Sequence, residues 1–170
     1  YYGWRKPFGV ICTADAKANN TVFDYLPQDE RLLYVGRLDV ESSGLMIMTS
    51  NGQVANAIAH GSGEHEKEYV VTVNKPINRA FAKKMTQGVT IDGQITKPAR
   101  LKKLSDNRFS LVLTEGRNRQ IRNMCEALGY GVKSLRRVRV MNIKLGTLGE
   151  GNYRPLTKKE RRGLLMALNV

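Results

Sequence analysis

The segment YVGRLDVESSGLMIMTSNG, residues 34–52, places an arginine and an aspartate between two apolar runs. Arg37 and Asp39 follow Gly36 and precede two serines and a glycine that lead into the second run. A loop between two buried strands is a common way for a rigid scaffold to present functional side chains. Asp39 is therefore a candidate for nucleophilic or acid–base chemistry. An aspartate in such a tripeptide is also common in surface turns, so the motif alone does not establish a site.

A second candidate site lies in the sequence EGRNRQIRNM, residues 115–124. Arg117, Arg119 and Arg122 surround the start of a helix that is predicted over residues 118–129. The free N–H groups of a helix N-terminus bind phosphate, and arginine side chains add bidentate contacts. Helix N-termini otherwise favour acidic residues. The three arginines therefore indicate binding of RNA or another phosphate-bearing ligand.

A third candidate residue is Tyr69. It lies two positions after Lys67 in a strand that is predicted over residues 67–74. An active-site tyrosine in this position would stack against a base and bring its hydroxyl group near a reacting atom. A tyrosine that packs in the core is the simpler alternative, and the residue pattern does not exclude it.

The basic segment KSLRRVRVMNIK, residues 133–144, alternates charged and apolar residues. In a strand, Lys133, Leu135 and Arg137 fall on one side, with Arg139 beyond them. We interpret this segment as a basic rim that follows a nucleic-acid backbone while its apolar residues face inward.

The charge of the chain is distributed unevenly. Its 170 residues include 28 Lys and Arg against 15 Asp and Glu, for a net charge of +13. Residues 1–85 carry a net charge of +1, and residues 86–170 carry +12. This asymmetry favours a polyanionic partner, most often nucleic acid, over a surface that is merely soluble.

The hydrophobic pattern predicts strands and helices that alternate irregularly within one domain, or two small lobes, over residues 1–170. Strands are predicted over residues 8–13, 32–35, 45–49, 67–74, 95–104, 108–115 and 132–145. Helices are predicted over 21–26, 52–60, 78–87 (N-cap Asn78), 118–129 (N-cap Asn118) and 157–168, where Thr157 and Glu160 form a capping box. Short loops between neighbouring strands favour an α+β fold with a mixed, largely antiparallel sheet.

Cysteine, histidine and hydropathy patterns exclude several classes of protein. Cys12 and Cys125 lack the spacing of a redox or metal motif, which fits a reduced, cytoplasmic protein. His60 and His65 are too few and too poorly partnered to predict a metal site. No apolar run approaches the length of a transmembrane helix, and the first residues do not form a signal peptide.

Five segments, taken in order, resemble those of a known family: KPFGV, GRLDVESSGL, EKEYVVTV, EGRNRQIRNM and LRRVRVMNIKLG. They resemble ribosomal RNA pseudouridine synthases of the RsuA-type branch, over about Lys6 to Leu156. HEKEYVVTV, RQIRNMCEALGY and RVRVMN are most similar to the RluF-like group, which acts on large-subunit (23S) rRNA. The resemblance implies isomerisation of a specific uridine through base flipping and one catalytic aspartate, without a metal or organic cofactor. It also implies the pseudouridine synthase fold, with flanking helices and a catalytic cleft between two lobes.

The resemblance assigns roles to individual residues. Asp39 matches the catalytic aspartate, Tyr69 the tyrosine of the KEY segment, and Arg122 the arginine that pairs with the aspartate. The residues expected to contact RNA are Arg37, which matches the arginine that helps to replace the flipped base, with Lys67, Arg117, Asn118, Arg119, Gln120 and Arg137.

The chain departs from the branch at its N-terminal end. Arg5 stands where an asparagine usually precedes the KP pair. Branch members usually carry a small N-terminal RNA-binding domain of the S4 type, and this chain is expected to lack it. We expect the protein to act on RNA as a cytoplasmic monomer.

Two other functions are considered. A non-catalytic basic RNA-binding module in ribosome assembly would explain the charge, but not an aspartate in a cationic site, where it would repel phosphate. A nucleoside or glycoside hydrolase usually needs two cooperating carboxylates. Glu41 is the only other acid near Asp39 in the sequence, and it could easily face away.

Overall fold

A computed structural model describes residues 1–12, 20–25, 31–60 and 65–170. The strands are β1 Tyr2–Lys6, β2 Leu33–Val35, β3 Ser43–Thr49, β4 Lys67–Val73, β5 Thr90–Ile91, β6 Gln94–Ile95, β7 Arg100–Ser105, β8 Arg108–Leu113, β9 Val132–Val140, β10 Ile143–Lys144 and β11 Tyr153–Pro155. The helices are α1 Gly52–His60, α2 Arg79–Gln87, α3 Gln120–Ala127 and α4 Lys158–Leu168, with a short 3-10 helix at Val22–Asp24.

The chain divides into two compact units. Unit 1 comprises Tyr1–His65 and Arg137–Val170, and unit 2 comprises Glu66–Arg136. Helices and a largely antiparallel sheet occur together in the described residues, so the predicted α+β class is confirmed. No described helix is both long enough and apolar enough to cross a membrane.

Unit 1 is built around strand β3, which is buried from Gly44 to Thr49. Strand β1 pairs antiparallel with β3 on one side and with β11 on the other, so that Trp4 lies opposite both Met46 and Tyr153. Strand β2 pairs antiparallel with β3, and β10 pairs antiparallel with β9. The core includes apolar residues from the strands, from α1 and α4, and from the position just after β10: Val35, Leu45, Ile47, Val54, Ile58, Val140, Ile143, Leu145, Leu164 and Leu168.

The first strand differs from the prediction. The strand predicted over residues 8–13 is wrong, because the strand lies at Tyr2–Lys6 and Gly9 adopts a positive φ of 89°. Ile11 forms only an isolated bridge with Thr21, and Thr13 lies outside the described residues. Partners on both sides, far away in the sequence, select the earlier segment.

Unit 2 has two helices and the antiparallel pairs β4–β8 and β7–β8. Asn78 caps α2, as predicted, because its side chain accepts a 2.8 Å hydrogen bond from the backbone N–H of Phe81. The core includes Val71, Val73, Ile77, Phe81, Met85, Val89, Phe109, Leu111, Leu113, Ile121, Met124, Cys125, Tyr130 and Leu135.

Two long predicted strands are each interrupted, the first by residues 96–99, which lie outside any strand, and the second by a turn. Residues 95–104 form the end of a two-stranded hairpin and then β7, with a turn at Asp92–Gly93 before them. The strand predicted over 132–145 ends at Val140, and Met141 adopts a positive φ of 52° before β10 turns back on β9. The capping box of α4 is confirmed, since both of its hydrogen bonds, between Thr157 and Glu160, are present.

Candidate active site

Arg37 and Asp39 lie on one loop between β2 and β3, as predicted. We call residues 36–44, which include the first two residues of β3, the Asp39 loop. Leu38 is buried in unit 1, whereas Arg37 is exposed and Asp39 is half-buried. The carbonyl oxygen of Asp39 accepts a 3.0 Å hydrogen bond from the backbone N–H of Ser42, which closes a turn. The buried leucine therefore fixes the loop to the core while its two charged neighbours keep access to solvent.

Both ends of the Asp39 loop are glycines in conformations that other residues rarely adopt. Gly36 has a φ of 68° and Gly44 a φ of 114°. A Cβ atom on Gly44 would collide with the main chain of Arg137, at 2.6 Å from its backbone nitrogen and closer still to its carbonyl oxygen. Gly44 therefore lies within β3 at a point where β9 passes too close to leave room for any side chain.

The buried Lys6 holds the Asp39 loop from β1. Its side chain is 0% exposed, and its ammonium donates to the carbonyl oxygens of Ser42 at 2.7 Å, Pro7 at 3.0 Å and Val40 at 3.4 Å. Burial lowers the pKa of Lys6 to about 8. Electrostatic interactions with Cys12 and Asp39 act in the opposite direction and raise this pKa. The lysine therefore supplies a positive charge that acts on Asp39.

Sequence reasoning did not assign a role to Lys6. The available signal was its position two residues after Trp4, which puts both side chains on one face of a strand. A lysine that shares a face with a fully buried tryptophan needs a buried partner. The signal was missed because the strand was predicted at residues 8–13.

The prediction that Arg137 contacts RNA is wrong. Its side chain is only 2% exposed, and its guanidinium donates to the carbonyl oxygens of Gly36 at 2.6 Å and Leu45 at 2.8 Å. Leu135 and Arg137 share a face of β9, as predicted, but both of them are buried on it. The neighbouring strands, rather than solvent, decide which side of β9 is covered.

The loop that precedes α3, residues 114–119, is held by two residues that were predicted to bind RNA. We call it the arginine loop. The Arg117 guanidinium donates to the carbonyl oxygens of Ile91, at 2.7 Å, and Gln94. Gln120 is 5% exposed, donates to the Glu115 carboxylate at 2.8 Å and accepts from the backbone N–H of Arg117 at 3.0 Å. The prediction that the Gln120 side chain contacts RNA is therefore wrong, and the role of Arg117 in RNA binding stays a prediction.

Asn118 and Arg119 lie exposed at the end of the arginine loop. The prediction that Asn118 caps α3 is wrong, because Arg119 is the N-cap residue and adopts a left-handed backbone with a φ of 50°. The side chain of Asn123 instead donates to the carbonyl oxygen of Asn118. A non-glycine residue in this conformation needs support from its surroundings, and such residues cluster at functional sites.

The remaining predicted site residues also belong to unit 2. Tyr69 is half-buried on β4 opposite Leu111 and packs against the core of the unit. The Lys67 ammonium lies beside Gly116 in the arginine loop, 3.6 Å from the point that a Cβ atom would occupy if Gly116 carried a side chain. Arg122 is buried on α3, near Cys125. Burial raises the pKa of Cys125 to about 12, although the positive charge of Arg122 acts in the opposite direction. The predicted pairing of Arg122 with Asp39 stays a prediction.

The net charges of the two structural units differ less than those of the two halves of the sequence, but unit 2 is still the more basic. Unit 1 carries 13 Lys and Arg against 9 Asp and Glu, and unit 2 carries 15 against 6, for net charges of +4 and +9. Among the residues described, no three His, Cys, Asp or Glu side chains form a group that could hold a metal ion. The prediction that no metal or cofactor is used stays a prediction.

Comparison with known proteins agrees with these features. The profile of the family described as RNA pseudouridylate synthase matches residues 1–127. The chain is 41% identical over 156 residues to the dual-specificity RNA pseudouridine synthase RluF of Escherichia coli (strain K12), covering 92% of this chain and 54% of that protein. It is 36% identical over 166 residues to the ribosomal small subunit pseudouridine synthase A of Haemophilus influenzae, covering 94% and 71%.

A solved structure confirms the predicted fold. A crystal structure of a pseudouridylate synthase superposes with a TM-score of 0.90 at 33% identity, covering 96% of this chain and 72% of that chain. The chain spans about half the length of RluF. The family profile, the curated relatives and the superposition all agree, and the chain belongs to the RNA pseudouridylate synthase family.

Proposed function

We propose that the protein converts a specific uridine of RNA to pseudouridine and that Asp39 is its catalytic residue. The observation that carries this proposal is the fixed Asp39 loop in a member of this family. Lys6 and Arg137 donate to four carbonyl oxygens in or beside the loop, and Leu38 is buried beneath it. A carboxylate that is held in place before substrate binds loses less entropy at the reaction step.

The reaction is an isomerisation, so it needs no donor or acceptor beyond the enzyme. The N1–C1′ bond of uridine breaks, the base turns, C5 bonds to C1′, and the C5 proton leaves while N1 gains one. Asp39 as a carboxylate attacks C1′ or takes a sugar proton. Lys6 places a buried positive charge close enough to Asp39 for the two groups to interact.

Unit 2 supplies two further residues of the proposal, Tyr69 and Arg122, and unit 1 supplies Arg37. We assign Arg122 to holding the Asp39 carboxylate charged and oriented, and Tyr69 to stacking on the base and helping to remove its C5 proton. A uridine in folded RNA must leave its stack to react. Arg37, exposed on the Asp39 loop, is assigned to filling the space that the uridine leaves.

Binding of RNA is assigned mainly to unit 2, because its net charge of +9 attracts a polyanion. Arg119, Asn118 and Lys67 are the proposed contacts. We propose large-subunit (23S) rRNA as the substrate, following the RluF-like motifs of the sequence. Since one relative is named for the small ribosomal subunit, 16S rRNA is the comparison substrate. Action as a cytoplasmic monomer without a cofactor belongs to the same proposal.

The test is a pseudouridine assay on unmodified 23S and 16S transcripts. Modified sites are mapped by carbodiimide treatment and reverse transcription, and released uracil is measured in parallel. Asp39→Asn is the test variant, and Glu41→Gln is its control, because it removes the neighbouring acid of the same loop. We expect a new reverse-transcription stop at one 23S site with the wild-type protein and Glu41→Gln, and none with Asp39→Asn.

Three outcomes contradict parts of the proposal. Substantial turnover by Asp39→Asn excludes the assigned mechanism. Release of free uracil supports a nucleoside hydrolase instead. Tight RNA binding without a stop on any transcript, in both the wild-type protein and Asp39→Asn, supports the non-catalytic RNA-binding module.

A further inference from the structure

Arg137 contacts both ends of the Asp39 loop. Its Nη2 atom donates to the carbonyl oxygen of Gly36, where the loop begins, at 2.6 Å. Its Nε atom donates to the carbonyl oxygen of Leu45, immediately after the loop, at 2.8 Å. One side chain therefore connects two points that lie nine residues apart in the sequence and bracket Asp39.

Arg137 also occupies the space beside both loop glycines. Its Nη1 atom lies 3.4 Å from the point that a Cβ atom would occupy if Gly36 carried a side chain. Its main chain lies against Gly44. The positive φ angles of these glycines accordingly occur where Arg137 packs against the chain. The side chain and the main chain of Arg137 together set the backbone path at both ends of the Asp39 loop.

The chemistry of the guanidinium suits this arrangement. Its N–H donors lie in one rigid plane, so two hydrogen bonds to separate carbonyls also fix the distance between them. A lysine ammonium is a point charge on a flexible stem and does not impose that geometry. With its side chain 2% exposed, Arg137 makes these bonds away from competing water.

We propose that Arg137 is a positioning residue for the reaction. It fixes the span of the Asp39 loop and thereby the place of the Asp39 carboxylate relative to the uridine. Its effect on turnover rests on the proposed function, whereas its effect on the loop does not. Removing the guanidinium should slow the chemical step and leave the affinity for RNA nearly unchanged.

The variants are Arg137→Met and Arg137→Lys, with Arg139→Met as the control. Arg139 lies on the same strand and donates to the carbonyl oxygen of Met141 at 2.7 Å, beyond the Asp39 loop. We expect kcat to fall about 10- to 100-fold for Arg137→Met, as for other misplaced catalytic groups, with KM and RNA affinity changed less than about threefold. Arg137→Lys should recover only part of kcat. Arg139→Met is the control for the exchange measurement, which does not involve RNA.

Hydrogen–deuterium exchange of the free protein tests the loop without any turnover. We expect amides of residues 37–43 to exchange at least about tenfold faster in Arg137→Met, with α1 and α4 unchanged, and no such effect in Arg139→Met. If Arg137→Met does not fold, the same local change is expected in Arg137→Lys. An inactive wild-type protein contradicts the proposed function, while the exchange result still decides the role of Arg137.

The proposal is overturned by exchange in residues 37–43 that matches wild type in both Arg137 variants. It is also overturned by equally faster exchange throughout unit 1, because that result indicates a general loss of stability. A fall in RNA affinity with kcat unchanged would instead restore the phosphate contact that the sequence predicted.

Discussion

The ammonium of Lys6 donates a 2.7 Å hydrogen bond to the carbonyl oxygen of Ser42, 36 residues further along the chain. Pro7 and Val40 supply two more acceptors. A charged lysine has three N–H donors, which match these three carbonyls. The start of the chain and the Asp39 loop are therefore joined by one buried cation, and its protonation affects both.

The stability contribution of Lys6 should depend on pH above neutrality. Burial lowers its pKa from 10.5 to about 8, so the unfolded chain binds more protons than the folded chain between these values. The cost of burying the charge is complete below pH 8 and is relieved as the pH rises toward 10.5. We expect the free energy of unfolding of the wild type, relative to Lys6→Met, to rise over this interval. Urea unfolding of both proteins from pH 7 to pH 10.5 measures it, and parallel pH profiles would contradict it.

Glu160 should stabilise unit 1 above acidic pH. A side-chain hydrogen bond from Arg154 is the main cause that lowers its pKa from 4.5 to about 2, and the backbone N–H of Thr157 adds to it. Its contribution is therefore present above pH 4.5 and lost as the pH falls toward 2. We expect Glu160→Gln to reduce the free energy of unfolding by about 1–2 kcal/mol at pH 7 and by much less near pH 2.

The control for Glu160 is Glu150→Gln. Glu150 is 66% exposed and lies 3.8 Å from Arg5, so its removal should cost less than about 0.5 kcal/mol. Denaturant unfolding at both pH values compares the variants. Equal losses for the two glutamates at pH 7 would argue against a special role for the Arg154 pair.

Arg119 and Arg117 should differ in their effect on RNA binding. Arg119 is exposed, whereas Arg117 donates to the carbonyl oxygens of Ile91 and Gln94. We expect Arg119→Ala to weaken binding and to reduce the slope of log K against log salt by about 1. Arg117→Ala should lower the urea midpoint and reduce the slope less than Arg119→Ala does. Affinities at several salt concentrations decide this, and an unchanged slope in Arg119→Ala would remove it from the proposed phosphate contacts.

Gly44 should tolerate no side chain. A Cβ atom there would collide with the carbonyl oxygen of Arg137, and the φ of 114° is unfavourable for any other residue. We expect Gly44→Ala to reduce the free energy of unfolding by about 3 kcal/mol or more. Gly146→Ala is the matched control, because Gly146 also has a positive φ but nothing within 4 Å, and should cost about 1–2 kcal/mol. Similar losses in both variants would show that backbone conformation, rather than the contact with β9, limits Gly44.

Local signals predicted the elements whose determinants lie close together in the sequence. The helix at residues 52–60 agrees with α1, and Asn78 and the pair Thr157 and Glu160 cap their helices as expected. Asn118 failed as a cap because the arginine loop, held by contacts to Ile91 and Gln94, places Arg119 at that position instead. The N-cap residue can thus be predicted where local sequence alone sets the start of the helix. It cannot be predicted where contacts with a distant hairpin fix the preceding loop.

Motif order identified the family, and residue type identified Arg37 and Asp39 as a pair on one loop. These features depend on sequence alone, because the chemistry requires a given side chain at a given place in the chain. The sequence did not distinguish Arg119 from Arg137, since both are arginines in basic segments.

Tertiary structure decided which cations meet solvent and which hold the backbone. Trp4 and Lys6 became buried because β1 gained strands on both sides, and Arg137 became buried where β9 passes Gly44. A buried charged group needs hydrogen-bond partners, and Lys6 and Arg137 find theirs in nearby backbone carbonyls. These hydrogen bonds fix the Asp39 loop. Their donors and acceptors come from segments that are far apart in the sequence, and only folding brings those segments together.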